Sequence, residues 1–362
     1  MNKIIKNIAL YPVSFLYGIV TGVRNWLFDQ GILRTTTFDI PIISVGNLSV
    51  GGTGKTPHTE LIISILHDSW KTAMLSRGYK RETSDFYFAD ENTDSKKIGD
   101  EPYQIHKKFT EISVAVHEKR VLGVKKLLEI VPKLQVVILD DAFQHRYIHA
   151  GLSILLTDYS NLYCRDLVMP AGNLREWKSG SKRADIIVVT KCPAGLKPIE
   201  MRLIETELKP ENNQSLFFSS YAYDEIMPVF PDSEPENWSF KTLKEAKAGI
   251  LLVAGIVSPE PIVEEIKKFS NKVSSLFFDD HHAFQSKDYS LIMSKFEAFK
   301  SGEKIILTTE KDAARMVSDK HFPEFLKSRT FVLPIRVEIL NKQESLFIQK
   351  IKNYVVENSR NC

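Results

Sequence analysis

Apolar and polar positions come in short alternating blocks along the first two thirds of the chain. Apolar runs at 40–45, 70–75, 112–116, 136–139, 152–156 and 185–190 have the length and content of strands covered on both faces. Between them, 58–66, 121–131 and 199–208 carry apolar residues at helical spacing. That alternation predicts a mainly parallel sheet with helices on both sides. Residues 215–230 then alternate without a helix, and Pro228 and Pro231 break the pattern before an acidic, turn-rich stretch at 231–237. A second series follows, with strands at 250–253, 273–278, 304–307 and 330–333 and helices at 261–269, 288–299 and 343–355. The expected fold class is α/β, with two doubly wound α/β/α domains joined by a short β connector. The boundaries expected are an N-terminal segment at 1–34, a first domain at 35–214, a connector at 215–245 and a second domain at 246–362.

The N-terminal segment differs from the rest. Residues 8–20 are apolar, and Tyr11, Phe15, Tyr17, Trp26 and Phe28 add aromatic rings. Lys3, Lys6, Arg24 and Arg34 against Asp29 give this segment the whole net charge of +3. The run is shorter than the ~20 residues of a spanning helix, and Pro12 and Gly18 interrupt it. It lacks a small-residue cleavage site. A basic, aromatic-rich apolar helix of this kind suits a membrane interface. Packing on the protein's own core is the competing reading.

Composition narrows the classes. With 43% hydrophobic and 26% charged residues, the chain can bury a core in each domain. The small net charge gives no reason to expect nucleic acid as a partner. Cys164, Cys192 and Cys362 are scattered, without a C-x-x-C pair, so neither a disulfide framework nor a zinc site is expected.

The strand ending at Val45 runs into Gly46–Thr56, G-N-L-S-V-G-G-T-G-K-T, and then into a helix. Strand, glycine-rich loop and helix offer backbone N–H groups, a positive helix end and a lysine to a polyphosphate. Gly54, Lys55 and Thr56 match G-x-x-x-x-G-K-[ST], whereas Ser49 holds the first glycine position. Ser49, Val50, Gly51, Gly52, Thr53, Gly54, Lys55 and Thr56 are the expected nucleotide contacts. The first domain is thus of the P-loop NTPase type, and Thr56 is an expected Mg²⁺ ligand. Asp140 and Asp141 follow the apolar strand 136–139, where carboxylates sit beside such a loop and hold the metal.

Three further groups carry candidate chemistry. Asp100 and Glu101, in Gly99-Asp100-Glu101-Pro102, fit a carboxylate that takes a proton from an acceptor hydroxyl, and equally fit a helix N-terminus. His281, in Asp279-Asp280-His281-His282, fits a partner for such a carboxylate or a surface histidine. Arg77, Arg120 and Arg175-Glu176 offer candidate anion contacts. Thr190-Lys191-Cys192-Pro193 starts like a guanine-reading motif but has proline where the base-reading aspartate belongs, so ATP is the expected nucleotide.

Taken in order, Gly46–Pro57, Ser76-Arg77-Gly78-Tyr79, Gly99–Pro102, Asp140–His145, Pro170–Glu176, Asp280-His281-His282 and Thr309-Glu310-Lys311-Asp312 closely resemble the tetraacyldisaccharide 4'-kinases of lipid A biosynthesis. The resemblance spans nearly the whole chain. It implies transfer of the ATP γ-phosphate to the 4'-hydroxyl of an acylated glucosamine disaccharide 1-phosphate, giving lipid IVA, with Mg²⁺ as cofactor. It implies Asp100 as base and His281 as its partner, with Gln144, Arg120, Arg175 and Glu176 as further site residues. It also implies a peripheral enzyme on the cytoplasmic face of the inner membrane. Ala254–Pro259 departs from the family's more usual A-G-I-G-N-P turn. A membrane-associated P-loop ATPase or switch protein shares the loop and N-terminus. It leaves the acids and histidine of two domains without a task.

Overall fold

The computed structural model describes residues 3–233, 235–256, 259–279, 282–299 and 302–359. Its strands are β1 (Ile42–Asn47), β2 (Thr72–Ser76), β3 (Tyr87–Phe88), β4 (Ser113–Val116), β5 (Val136–Asp140), β6 (Leu152–Asp158), β7 (Ile186–Thr190) and β8 (Ser215–Tyr223). They continue with β9 (Met227–Pro228), β10 (Gly249–Ala254), β11 (Val273–Phe277), β12 (Lys304–Thr308), β13 (Thr330–Val332) and β14 (Ile335–Ile339). The first sheet runs β14-β8-β7-β6-β1-β5-β2-β4-β3, and only its two edge strands are antiparallel to their neighbours. The second runs β11-β10-β12-β13-β9, parallel except for β9.

The apolar runs form strands because both of their faces are covered. Every residue of β1, β5 and β7 is buried. Above one face, α2 (Lys55–Leu66) packs with the C-terminal helix Glu344–Asn358, whose Phe347, Ile351 and Val355 join Ile62, Ile63 and Leu66 in one core cluster. On the other face, Val124 and Leu127 of the Arg120–Ile130 helix meet Leu75, Val137 and Leu139.

Sheet membership differs from the expected boundaries in two places. Residues 215–223, expected in a connector, form β8 inside the first sheet. Residues 335–358, expected in the second domain, return to the first sheet as β14 and its covering helix. β8 leaves an open edge beside an apolar face, and β14 pairs with it while Phe347 stacks edge-to-face on Phe217 at 5.1 Å.

The N-terminal helix α1 (Lys3–Asp29) continues through Pro12 and Gly18 without a break. Gly18 is needed for docking rather than for flexibility. A Cβ there would lie 2.4 Å from the Trp177 ring, whose Nε1–H donates to the Gly18 carbonyl at 2.6 Å. Tyr17, Asn25 and Phe28 also face the body, through hydrogen bonds to the Arg175 carbonyl and Glu176 and an edge contact with Tyr147. Tyr11, Phe15, Leu16, Ile19, Val20 and Val23 stay exposed. One face of this segment therefore packs on the protein's own body, and the other presents apolar side chains outward. No helix among the described residues is long and apolar enough to cross a membrane.

Candidate active site

β1 lies at the centre of the first sheet, with β5 on one side and β6 on the other. The chain reverses its strand order there, and ligands of open α/β sheets bind at the carboxyl ends beside such a point. The phosphate loop leaves β1 at this edge. Asp140 ends β5, Ser76 ends β2, Asp158 ends β6 and Thr190 ends β7.

The loop is held on several sides. Ser49 is buried and forms a bridge with Leu174, and the Val50 N–H donates to the Asn173 carbonyl at 2.8 Å. Ser49 stays out of the left-handed region, so the backbone at that position needs no glycine. Gly54 does need to be glycine. Its φ is +85°, and a Cβ would lie 2.2 Å from the Tyr221 hydroxyl. The Asn47 amide donates to Thr53 Oγ1 at 2.7 Å, and Thr190 Oγ1 donates to the Thr53 carbonyl at 2.9 Å.

Two residues that the sequence reading did not assign to the site complete this support. His58 is buried, donates Nδ1–H to the Gly54 carbonyl at 2.7 Å and meets Ser219 Oγ through Nε2 at 2.9 Å. Burial pushes its pKa down to about 4, against the weaker upward pull of the Gly54 contact, so the ring is neutral at physiological pH. Lys191 bonds the Gly52 carbonyl and pairs with Asp158 at 2.8 Å. The Thr190-Lys191 dipeptide thus braces the loop, and Lys191 lines the cleft described below.

Asp140 and Asp141 sit in unlike environments. Asp140 is buried, and Thr59 Oγ1 and Ser76 Oγ each donate to it at 3.2 Å. Burial first, and then the neighbouring Asp141 charge, push its pKa up to about 6. Asp141 has φ +47°, a left-handed conformation that aspartate tolerates better than most residues. Burial alone would raise its pKa, but Lys55 at 3.8 Å and Arg175 at 2.9 Å outweigh that and hold it below the usual carboxylate value. Arg120 is buried behind this pair and donates to the carbonyls of His117 at 2.7 Å and Asp140 at 3.1 Å. Its pKa falls to about 10 through burial, which still leaves it charged. His145 faces the same cluster. Burial and then the charges of Arg120 and Arg77 lower its pKa to about 4.

These elements wall one cleft of about 1410 Å³. Its lining includes Val50, Gly51, Gly52, Gly54, Lys55 and Thr56 of the loop, both acids, and Arg77, Glu101, Arg120, Gln144 and Arg175. Tyr17, Thr21 and Arg24 of α1 close another part of the wall. Glu176 differs from the expected substrate contact. It is 3% exposed, stands apart from the lining, and binds Asn25, Gln144 and Arg183. Its carboxylate therefore orients Gln144 and ties α1 to the body. Asp100 is also absent from the lining, although its neighbour Glu101 is present. The Asp100 carboxylate accepts from Arg315 Nε at 2.8 Å and Nη2 at 2.7 Å. Asp280, His281, Val257 and Ser258 lie outside the described residues. His282 pairs with Asp288 at 2.9 Å and stacks on Phe278, a local structural task.

Comparison with known proteins bears on what this cleft does. The family model described as tetraacyldisaccharide-1-P 4'-kinase matches residues 6–355. A tetraacyldisaccharide 4'-kinase of Bacteroides thetaiotaomicron is 49% identical over 97% of this chain and 94% of that relative. One from Flavobacterium johnsoniae is 44% identical over 99% of both. The solved "apo" form of LpxK from Aquifex aeolicus in complex with ATP is 30% identical, with a TM-score of 0.72, over 96% of this chain and 99% of that one. These matches favour a kinase over a nucleotide-driven switch. The chain belongs to the tetraacyldisaccharide 4'-kinase family.

Proposed function

We propose a division of labour for the family's ATP-dependent reaction, phosphorylation of the 4'-hydroxyl of a tetraacylated disaccharide 1-phosphate. The observation that carries it is the shared cleft. A phosphate-binding loop, two carboxylates and the N-terminal helix all line one space. A lipid-bearing acceptor entering along α1 would meet the γ-phosphate there.

Residues 49–56 hold the triphosphate, with backbone N–H groups and the α2 N-terminus facing the phosphates. Lys55 neutralises their charge. Arg175, held on Asp141, and Arg77 are the cationic side chains for the charge of the transferred group and of the acceptor. Gln144 and Glu101 line the acceptor side. Arg120 keeps the edge positive from behind the two acids.

The donor set fits Mg²⁺. Thr56, Asp140 and Asp141 offer hard oxygen ligands on one wall. Burial first, and then the adjacent Asp141 carboxylate, raise the pKa of Asp140, and a bound cation would favour its charged form. Among the described residues no cluster of three or more acidic, histidine or cysteine side chains forms a metal cage, and Mg²⁺ ordinarily keeps water and phosphate oxygens as its other ligands. Held by Thr56, Asp140 and Asp141, the ion would supply positive charge against the charge that develops on the phosphate during transfer.

Asp100 takes the proton of the 4'-hydroxyl, with His281 assisting. The exposed face of α1 and its basic residues hold the enzyme peripherally on the cytoplasmic face of the inner membrane, where an acylated substrate resides.

The test is incubation with γ-labelled ATP, Mg²⁺ and the acylated disaccharide 1-phosphate, with product masses resolved. Gain of one labelled phosphate on lipid supports the reading, and label appearing in inorganic phosphate alone refutes it. Asp100→Asn should lower kcat by about 10²–10⁴-fold with ATP binding retained. Turnover near that of the native chain would remove Asp100 from the role of base.

A further inference from the structure

Asp100 opens the first turn of the Asp100–Lys108 helix, preceded by Gly99. A carboxylate at such a position is drawn toward the open N–H groups of its own helix. Here a stronger partner competes. Arg315 donates two charge-assisted hydrogen bonds to Oδ2 of Asp100, at 2.8 and 2.7 Å. The pair is largely enclosed, with side-chain exposures of 9% and 18%.

Arg315 is itself anchored from behind. Its Nη1 donates to Asp312 Oδ1 at 2.9 Å. Asp312 is completely buried and accepts from the Gly255 N–H at 2.9 Å and from Thr309 Oγ1 at 2.7 Å. Gly255 follows β10 and Thr309 follows β12, so the anchor stands at the carboxyl edge of the second sheet. A guanidinium fixed at one end loses less freedom when it holds a second carboxylate.

Two further ion pairs align the helices. Lys311 meets Glu101 at 3.5 Å, and Lys108 meets Glu310 at 2.8 Å. The Glu310–Val317 helix is therefore tied to both ends of the Asp100–Lys108 helix by pairs of opposite charge. The second sheet thus reaches the site through this helix.

We propose that Arg315 is a positioning residue for phosphoryl transfer, which transmits the rigid edge of the second sheet to the Asp100 carboxylate and fixes where that carboxylate points. This rests on the reading of Asp100 as base. A carboxylate misplaced by about 1 Å can cost about 10²-fold in rate, so the effect belongs in kcat.

The full-length chain is assayed with ATP and the acylated disaccharide 1-phosphate in mixed micelles, as Arg315→Gln, Arg315→Lys, Asp100→Asn and the double variant Asp100→Asn/Arg315→Gln. Thermal melting is followed in parallel. Arg315→Gln should lower kcat about ten- to hundredfold while KM for ATP stays within about threefold. Arg315→Lys should recover part of the loss. The double variant should be no slower than Asp100→Asn alone, because both changes disable one unit. If Asp100→Asn is inactive while Arg315→Gln matches or exceeds the native rate, the positioning role falls and the base assignment stands. Additive losses in the double variant would also overturn it. If Arg315→Gln melts early, Arg315→Lys decides: native melting without recovered kcat counts against the proposal. Near-native turnover of Asp100→Asn would instead remove the base assignment itself.

Discussion

His58 couples the phosphate loop to the core, and its protonation should set part of the acid sensitivity of the fold. The ring is 1% exposed and wedged between the Gly54 carbonyl and Ser219. Its pKa is about 4 in the folded chain against 6.5 for an ordinary histidine. The sign follows from proton counting. Between those two values the unfolded chain binds the proton and the folded chain does not, so stability falls as pH falls. At about pH 5 the expected loss relative to about pH 7.5 is ~2 kcal/mol from this residue alone. His58→Gln cannot span both partners and should cost about 1–2 kcal/mol at neutral pH. It should also lose the titration. Denaturant unfolding of the nucleotide-free protein at the two pH values checks this. The native chain should lose ~2 kcal/mol more than the variant on acidification. Equal losses in both proteins would refute the reasoning, because they would place the acid-sensitive group elsewhere.

Two other perturbations test the packing. Leu16→Glu with Val20→Glu alters side chains that are 63% and 62% exposed on α1; partition onto anionic vesicles should fall at least about tenfold, since each apolar side chain is worth about 1.5–3 kcal/mol on burial. Unchanged partition in a sedimentation assay would contradict an interfacial role for this face. Phe347→Ala removes a ring that is 1% exposed and packed on Phe217; it should destabilise the chain by about 3–5 kcal/mol in denaturant unfolding. A loss below about 1 kcal/mol would show that the C-terminal helix contributes little to the first core.

The glycine-rich loop, the buried strands and the acids at strand ends were legible in the linear chain. Each depends on a few consecutive residues whose backbone geometry and burial pattern are local. Gly54 has to be glycine because of its own φ, and 136–139 is a strand because every side chain in it needs cover. The ordered motif set carried the family for the same reason. Ser49, the departure from the general loop pattern, makes sense once it is seen bridged to Leu174.

What the linear pattern did not carry was decided by partners distant in sequence. Glu176 looked like a substrate contact beside Arg175, yet the fold turns it inward to Asn25, Gln144 and Arg183. His58 reads as one more polar residue of an amphipathic helix until Ser219, 161 positions away, meets it. Arg315 gains its relation to Asp100 across 215 positions. Residues 335–358 could cover either sheet by composition, and the open edge of β8 settles the choice. By itself the sequence determined where the glycine-rich loop and the strand-end acids fall, because those features reside in side-chain chemistry and local backbone. Tertiary structure alone decided which polar groups face the cleft and which brace it from behind, because burial and charge pairing arise only when distant segments pack.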